Sequence, residues 1–236
     1  MRVVIYGASG RMGKALLRLG ALDARLQIVA AVTGRVVAPG EESICPVYSV
    51  SQLEQLPSFD VAIDFSQPEA FNAILHFCRN RKAAFVSGTT GLSELQKQAM
   101  SEAANEIPVL WASNFSLGVA VLNDLVRRAA KALEGWDVEI TEIHHVHKKD
   151  APSGTALSLG QSVELVTGNV PEYQSIREGE VVGDHTVKFS GPGEFIELRH
   201  NALDRDIFAR GALEAACRLQ GKTAAKYQFS DLIFDA

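Results

Sequence analysis

The run His144-His145-Val146-His147-Lys148-Lys149-Asp150-Ala151-Pro152-Ser153-Gly154-Thr155 sets imidazoles, ammonium groups and a carboxylate beside the start of a helix. Imidazole titrates near neutral pH, and neighbouring lysines make its cation easier to deprotonate, as a proton donor requires. Ser153-Gly154-Thr155-Ala156-Leu157 has the small, polar composition of a helix opening, whose first amides lack internal partners and can hold an anion. Lys148 and Lys149 add local positive charge, which suits a carboxylated substrate. His144, His145, His147 and Asp150 also offer nitrogen and oxygen ligands of the kind zinc takes. Against a metal, residues 137–143 alternate polar and apolar as a half-buried strand does. Adjacent strand residues face opposite ways, so His145 and His147 share one face if the strand persists and His144 takes the other. No second ligand cluster with metal spacing occurs elsewhere, and no metal is expected. A solvated polar patch at a strand end remains the bland alternative to catalysis.

Positioning such a site requires a scaffold, and the first half of the chain reads as one. Residues 2–6 are a β-rich run ending in Gly7-Ala8-Ser9-Gly10-Arg11-Met12-Gly13, followed by helical composition over 14–19. G-x-x-G-x-x-G in that context is a variant of the dinucleotide fingerprint, its glycines allowing a tight turn, close approach of a pyrophosphate and close helix packing. A glycine-bearing loop without ligand is the alternative. Residues 26–32 form a second apolar strand, at whose end a dinucleotide domain usually carries an acidic residue for the ribose. Thr33-Gly34-Arg35 stands there instead. That removes repulsion against a 2′-phosphate and supplies a guanidinium to meet it, so NADPH is expected to bind, with NADH also accepted.

Residues 36–57 read as a connecting loop with a weak edge strand. Further apolar runs at 59–63, 83–86 and 109–111 alternate with helices at 69–79 and 93–105. Ser66 or Gln67 is a candidate cap for the first of these helices, and Ser93 with Gln96 a capping box for the second. Strands alternating with helices, and no hairpin signals, predict a parallel sheet covered on both faces. Ligands of such sheets lie beyond the carboxyl ends of the strands. Gly7 to Met12, Thr33 to Arg35, Phe65-Ser66, Gly88-Thr89-Thr90 and Ser113-Asn114-Phe115 all fall on that edge and are the expected cofactor-binding residues. Phe115, judged alone, is the type of residue that sits in a core.

A long helix over 117–133, stopped by Gly135, marks the domain boundary. Beyond it the strand to His145 and the helix after Pro152 are followed by β-like runs at 175–177, 185–190 and 195–202. These predict an open, mixed to antiparallel sheet, with a helix over 204–219 packed across it. The tail 222–236 is too apolar to dangle and is expected to return to the first domain. The expected division is 1–114 with 220–236 for dinucleotide binding, and 115–219 for substrate binding and oligomerisation.

With 47% hydrophobic and 22% charged residues the chain is of globular composition, and a net charge of −5 argues against nucleic-acid or anionic-membrane partners. Cys45, Cys78 and Cys217 fit neither a disulfide framework nor a metal motif, so a reducing cytoplasm is expected. Residues 1–7 offer only a strand-length apolar run, too short for a signal-peptide core or a membrane span.

These motifs resemble the 4-hydroxy-tetrahydrodipicolinate reductase (dihydrodipicolinate reductase) family over nearly the whole chain. The resemblance is carried by Gly7-Ala8-Ser9-Gly10-Arg11-Met12-Gly13, Asp64-Phe65-Ser66, Gly88-Thr89-Thr90-Gly91, Asn114-Phe115-Ser116 and above all the run from Glu142 to Ala156. Arg177-Glu178-Gly179 and Gly183-Asp184-His185-Thr186 also look like the family. What the resemblance implies is NAD(P)H-dependent reduction of a cyclic dicarboxylate imine on the diaminopimelate and lysine pathway, with hydride entering at C4 and a proton at C3. It implies His144 as general acid, Lys148 as second proton donor, and His145, Lys148, Gly154 and Thr155 as ligands of the substrate carboxylates. Ser153, at the helix opening, joins that substrate-binding set. It also implies a homotetramer built through the open sheet of the second domain. Two departures stand out: Thr33 replaces the acidic residue of several relatives, and the 167–183 region is short.

Overall fold

Runs of Val, Ile and Ala with no polar face make stable strands only where helices cover both sides of the sheet. The computed structural model describes residues 1–34 and 44–234, and it divides into two units, Met1–Phe115 with Phe208–Ala236, and Ser116–Ile207. Arg35 therefore lies outside the described residues.

In the first unit β1 (Arg2–Tyr6), β2 (Gln27–Thr33), β3 (Val47–Ser49), β4 (Val61–Asp64), β5 (Ala84–Ser87) and β6 (Pro108–Trp111) lie in the order β6-β5-β4-β1-β2-β3, every pairing parallel. Crossovers run through α1 (Arg11–Gly20), α2 (Pro68–Arg81) and α3 (Glu94–Ala103). Strand side chains on one face pack with Phe71, Ile74, Phe77 and Met100 into a continuous core. The Ser93 box forms as expected, Gln96 Oε1 accepting the Ser93 amide at 2.9 Å and Ser93 Oγ the Gln96 amide at 3.3 Å. At α2 the expected cap is absent. Gln67 holds the N-cap position without a side-chain bond, Ser66 Oγ donates to the Gln67 carbonyl at 3.3 Å, and Pro68 starts the helix. Proline presets the backbone angle and has no amide to satisfy, so less capping is needed.

The second unit begins with α4 (Leu117–Ala132), followed by β7 (Asp137–His144), α5 (Gly154–Thr167), β8 (Glu172–Arg177), β9 (Gly183–Gly191) and β10 (Glu194–Ala202). Its sheet has the order β10-β9-β7-β8, with β9 antiparallel to both neighbours and β8 parallel to β7. Leu122 and Val126 of α4 and Leu159 and Val163 of α5 cover Ile140, Val187 and Phe189. Phe195 and Ile196 of β10 remain exposed.

The chain then returns through α6 (Asp206–Leu219), β11 (Ala225–Tyr227) and α7 (Phe229–Phe234). β11 pairs parallel with β6 and becomes the seventh strand of the first sheet. From Phe208 onward α6 belongs to the first unit, not across the second sheet as its position in the sequence suggested. Its face of Ala209, Ala212, Leu213 and Ala216 is buried, and a Cβ at Gly211 would fall 1.7 Å from the Phe115 carbonyl oxygen. An amphipathic pattern declares that a helix has a buried face but not which surface it meets. No helix among the described residues is long and apolar enough to cross a membrane.

Candidate active site

Because the first sheet is all parallel, its strands end on one edge, and that edge gathers the expected cofactor residues. After β1, Gly7 adopts φ +81°, and a Cβ there would lie 2.5 Å from the Phe65 carbonyl oxygen. A Cβ at Gly13 would lie 2.3 Å from the Gly7 carbonyl oxygen, so turn and helix meet backbone to backbone. The Gly7 and Ala8 amides both donate to the Val32 carbonyl at 3.0 Å, tying the turn to the end of β2. Gly10 occupies the N-cap of α1 and offers no side-chain cap, and the first amides of a helix, here at Arg11 and Met12, have no partner within the helix. A cavity of about 220 Å³ is lined by Gly7, Ser9, Gly10, Thr33, Phe65 and Ser66, among others.

The remaining expected residues on this edge play other parts. Ala8 is buried beneath the turn. Gly88 must lack a side chain because its Cβ would sit 2.2 Å from the Phe65 ring. Thr90 and Ser113 are exposed and Asn114 half-buried. Phe115 is core, packed between Phe65 and Phe229 at ring-centroid distances of 5.6 and 5.2 Å. Thr89 is buried and donates its hydroxyl to Asp64 at 2.8 Å.

Asp64 was not among the expected site residues. It is fully buried and accepts the Ser87 hydroxyl at 2.8 Å and the Ser66 amide at 3.0 Å as well as Thr89. Burial pushes its carboxyl above the usual range, and the hydrogen bonds offset this only in part. One carboxylate thus pins the turns after β4 and β5 to each other. An acidic residue closing an otherwise apolar strand was the available signal.

In the second unit β7 ends at His144. Glu142, two residues earlier and therefore on the same face, is 1% exposed, and its Oε2 meets His144 Nδ1. Arg177, the parallel-register partner of His144 on β8, donates from Nη2 to the other oxygen of Glu142 at 2.9 Å. The same guanidinium donates to the carbonyls of Asp150 at 2.6 Å and Lys148 at 3.3 Å. Burial pushes the Glu142 carboxyl up, but bonds from Arg177, Ser175 and His144 outweigh it and hold it below its usual range. His144 is buried, its side chain 9% exposed. Burial lowers its pKa, Glu142 opposes, and the charges of Lys148 and Arg177 lower it further.

The strand does not continue past His144. The chain turns, bringing the His145 and His147 rings to 6.2 Å, centroid to centroid. Arg205 Nη2 lies 3.3 Å from His145 Nε2, and His145 Nδ1 is buried with no hydrogen-bond partner among the described residues. Lys148 Nζ pairs with Asp150 Oδ2 at 2.9 Å. Ser153 caps α5, accepting the Ala156 amide at 3.2 Å, and its Oγ lies 3.1 Å from His185 Nε2. A Cβ at Gly154 would meet no atom of the described residues within 4 Å. Among the described residues no group of His, Cys, Asp and Glu could hold a metal ion.

Glu142, Arg177 and His185 escaped the sequence reading as site residues. Glu142 had a local signal in its two-residue spacing from His144. Arg177 stood in a stretch that resembles the family, but nothing local joined it to Glu142, because that contact follows from the register of two strands whose pairing composition does not reveal.

Sequence models for the N-terminus and C-terminus of dihydrodipicolinate reductase match this chain over residues 1–115 and 118–233. The 4-hydroxy-tetrahydrodipicolinate reductase of Xanthomonas axonopodis pv. citri (strain 306) is 56% identical over 233 residues, 99% of this chain and 98% of the relative. That of Stenotrophomonas maltophilia (strain R551-3) is 57% identical over 234 residues, with the same shares covered. A dipicolinate-bound dihydrodipicolinate reductase from Paenisporosarcina sp. TG-14 has the same fold, with a TM-score of 0.85 over 97% of each chain at 23% identity.

Proposed function

The chain belongs to the dihydrodipicolinate reductase family, and from that premise we propose how its own residues reduce 4-hydroxy-tetrahydrodipicolinate, by way of dihydrodipicolinate, to tetrahydrodipicolinate in lysine biosynthesis. The first-turn amides of α1 at Arg11 and Met12, together with Gly7 to Gly10, bind the pyrophosphate of NADPH or NADH. The glycine contacts support this assignment, since a side chain at Gly7 or Gly13 would fill the space where backbone must approach. Thr33 and Arg35 receive the adenosine ribose, and with no acidic residue at the end of β2 both cofactors are accepted. Reduced nicotinamide, when bound, supplies the hydride taken up at C4 of the substrate.

Loss of water from the hydroxylated substrate gives a conjugated imine, and hydride addition leaves an enamine that must gain a proton at C3. His144 supplies it. The observation that carries this assignment is the Glu142 carboxylate on His144 Nδ1, which leaves Nε2 as the nitrogen that can give a proton to substrate. Lys148 is the second proton donor and, with His145 and the amides of Gly154 and Thr155, holds the substrate carboxylates. To act, Lys148 exchanges the Asp150 carboxylate for that of the substrate, a swap of similar charge pairs. The exposed Phe195 of β10, which faces away from the helix-covered Phe189 because its neighbour Ile196 is the residue paired with Phe189, supports a homotetramer formed through the open sheet, since an exposed apolar side chain on that face favours burial. The enzyme works in the cytoplasm.

The test is to mix purified protein with NADPH and freshly generated 4-hydroxy-tetrahydrodipicolinate and follow nicotinamide absorbance. Substrate-dependent oxidation is expected with both NADPH and NADH. Absorbance that stays constant with either cofactor would overturn the reading.

A further inference from the structure

The Glu142–His144–Arg177 cluster carries an inference about how the proton donor is set up. Glu142 and His144 share one face of β7, and Arg177 reaches the pair from β8, bonded to Glu142 Oε1 at 2.9 Å. The same side chain binds the carbonyls of Lys148 and Asp150. One guanidinium therefore holds both the carboxylate behind His144 and the turn that carries Lys148. On the other side of the ring, a Cβ at Gly183 would lie 3.1 Å from His144 Nε2, so the glycine keeps that nitrogen clear of a side chain.

We propose that Glu142 is a positioning residue that keeps a proton on His144 Nδ1, so that Nε2 alone exchanges with substrate, while Arg177 fixes Glu142 and the 148–150 turn in one arrangement. This rests on the assignment of His144 as proton donor. In the cationic ring both nitrogens carry hydrogen. The Nε2 proton passes to C3 of the enamine, the C3–H bond forms from the enamine electron pair, and the ring is left neutral as its Nδ1–H tautomer, still donating to Glu142. Solvent then returns a proton to Nε2. An ionised carboxylate can only accept, which is why it selects this tautomer, and it favours the imidazolium that must precede transfer.

The groups facing the ring are Glu142 on its own strand, Lys148 and Asp150 in the turn, Arg177 on β8 and His185 on β9, the last edge-on at 5.1 Å between centroids. Of these Glu142 is the acid in direct contact. Replacing it with glutamine removes the charge that favours the cation. The limb along which kcat falls as pH rises then moves to lower pH.

Two measurements test this. The first is the long-range nitrogen–proton NMR spectrum of the wild-type imidazoles above the His144 pKa, assigned by the peak lost in His144→Gln. A neutral ring protonated at Nδ1 is expected, and one protonated at Nε2 overturns the proposal even if no Glu142 variant folds. The second is the pH profile of Glu142→Gln, with kcat expected to fall roughly ten- to a hundred-fold, the limb displaced to lower pH, and KM for NADPH unchanged. If the lone Arg177 charge prevents folding, the electroneutral pair Glu142→Gln with Arg177→Met takes its place under the same expectations. Wild-type kcat and an unmoved limb in a folded variant overturn the proposal. His144→Gln separates the two readings. If it keeps full turnover, the donor assignment fails. If it loses turnover while Glu142→Gln does not, only the role of Glu142 fails.

Discussion

His185 Nε2 lies 3.1 Å from the Ser153 hydroxyl that caps α5. Burial first, then the neighbouring His144, pushes the pKa of this imidazole down from 6.5 to about 4. Below pH 6.5 the unfolded chain takes up a proton that the folded chain refuses, so stability falls as pH drops from 6.5 towards about 4 and levels off below. A shift of that size corresponds to roughly 3 kcal/mol across the window. Urea denaturation at pH 7 and pH 5 should show about 2 kcal/mol of this loss, and His185→Gln should remove much of it. An equal acid dependence in the variant would show that the loss arises elsewhere.

Asp64 accepts three hydrogen bonds with no exposure to water. Asp64→Ala removes the acceptor of the Ser66 amide and the Ser87 hydroxyl and leaves Thr89 only the Ser66 carbonyl at 3.5 Å, and a loss of about 2–4 kcal/mol is expected. Because Ser66 and Thr89 are among the donors, dinucleotide affinity should fall as well. Calorimetric melting and NADPH titration check the two effects, and a variant as stable as wild type would refute the pinning role.

Gly7→Ala places a methyl group 2.5 Å from the Phe65 carbonyl oxygen at a φ of +81°. The turn must shift, at a cost of about 1–3 kcal/mol, and, with that backbone proposed to meet the pyrophosphate, NADPH binding should weaken by at least tenfold. Unaltered NADPH fluorescence titration in a folded variant would place the pyrophosphate elsewhere.

Arg35 follows Thr33 and Gly34 where an acidic residue would repel a 2′-phosphate. Arg35→Ala should weaken NADPH more than NADH, by roughly 1–2 kcal/mol for a charge-assisted contact. Dissociation constants for both cofactors measure it directly, and equal losses would remove the phosphate role.

Much of the scaffold was legible because its signals are local. Parallel strands buried on both faces read as apolar runs, as residues 61–64 and 84–87 do, and Ser93 with Gln96 announces a helix start within four positions. Gly7 and Gly13 declare a close backbone approach through the absence of a side chain. Partners set by long-range packing were not legible. Arg177 meets Glu142 only because β8 pairs parallel with β7, and α6 finds Phe115 rather than the second sheet through the space Gly211 leaves. Ser153 was legible as part of a helix opening, but its contact with His185 was not, because it depends on β9 being adjacent to β7. The histidine run itself was conspicuous, while the carboxylate that gives His144 its proton geometry lay two residues away in plain alternation.

The central claim is that His144 gives the proton that completes reduction. Its most direct test is kcat for His144→Ala against wild type at saturating NADPH and substrate, with cofactor affinity measured in parallel. A fall of about 10² to 10³-fold in kcat, with NADPH binding unchanged, is the predicted result. Turnover equal to wild type would contradict it.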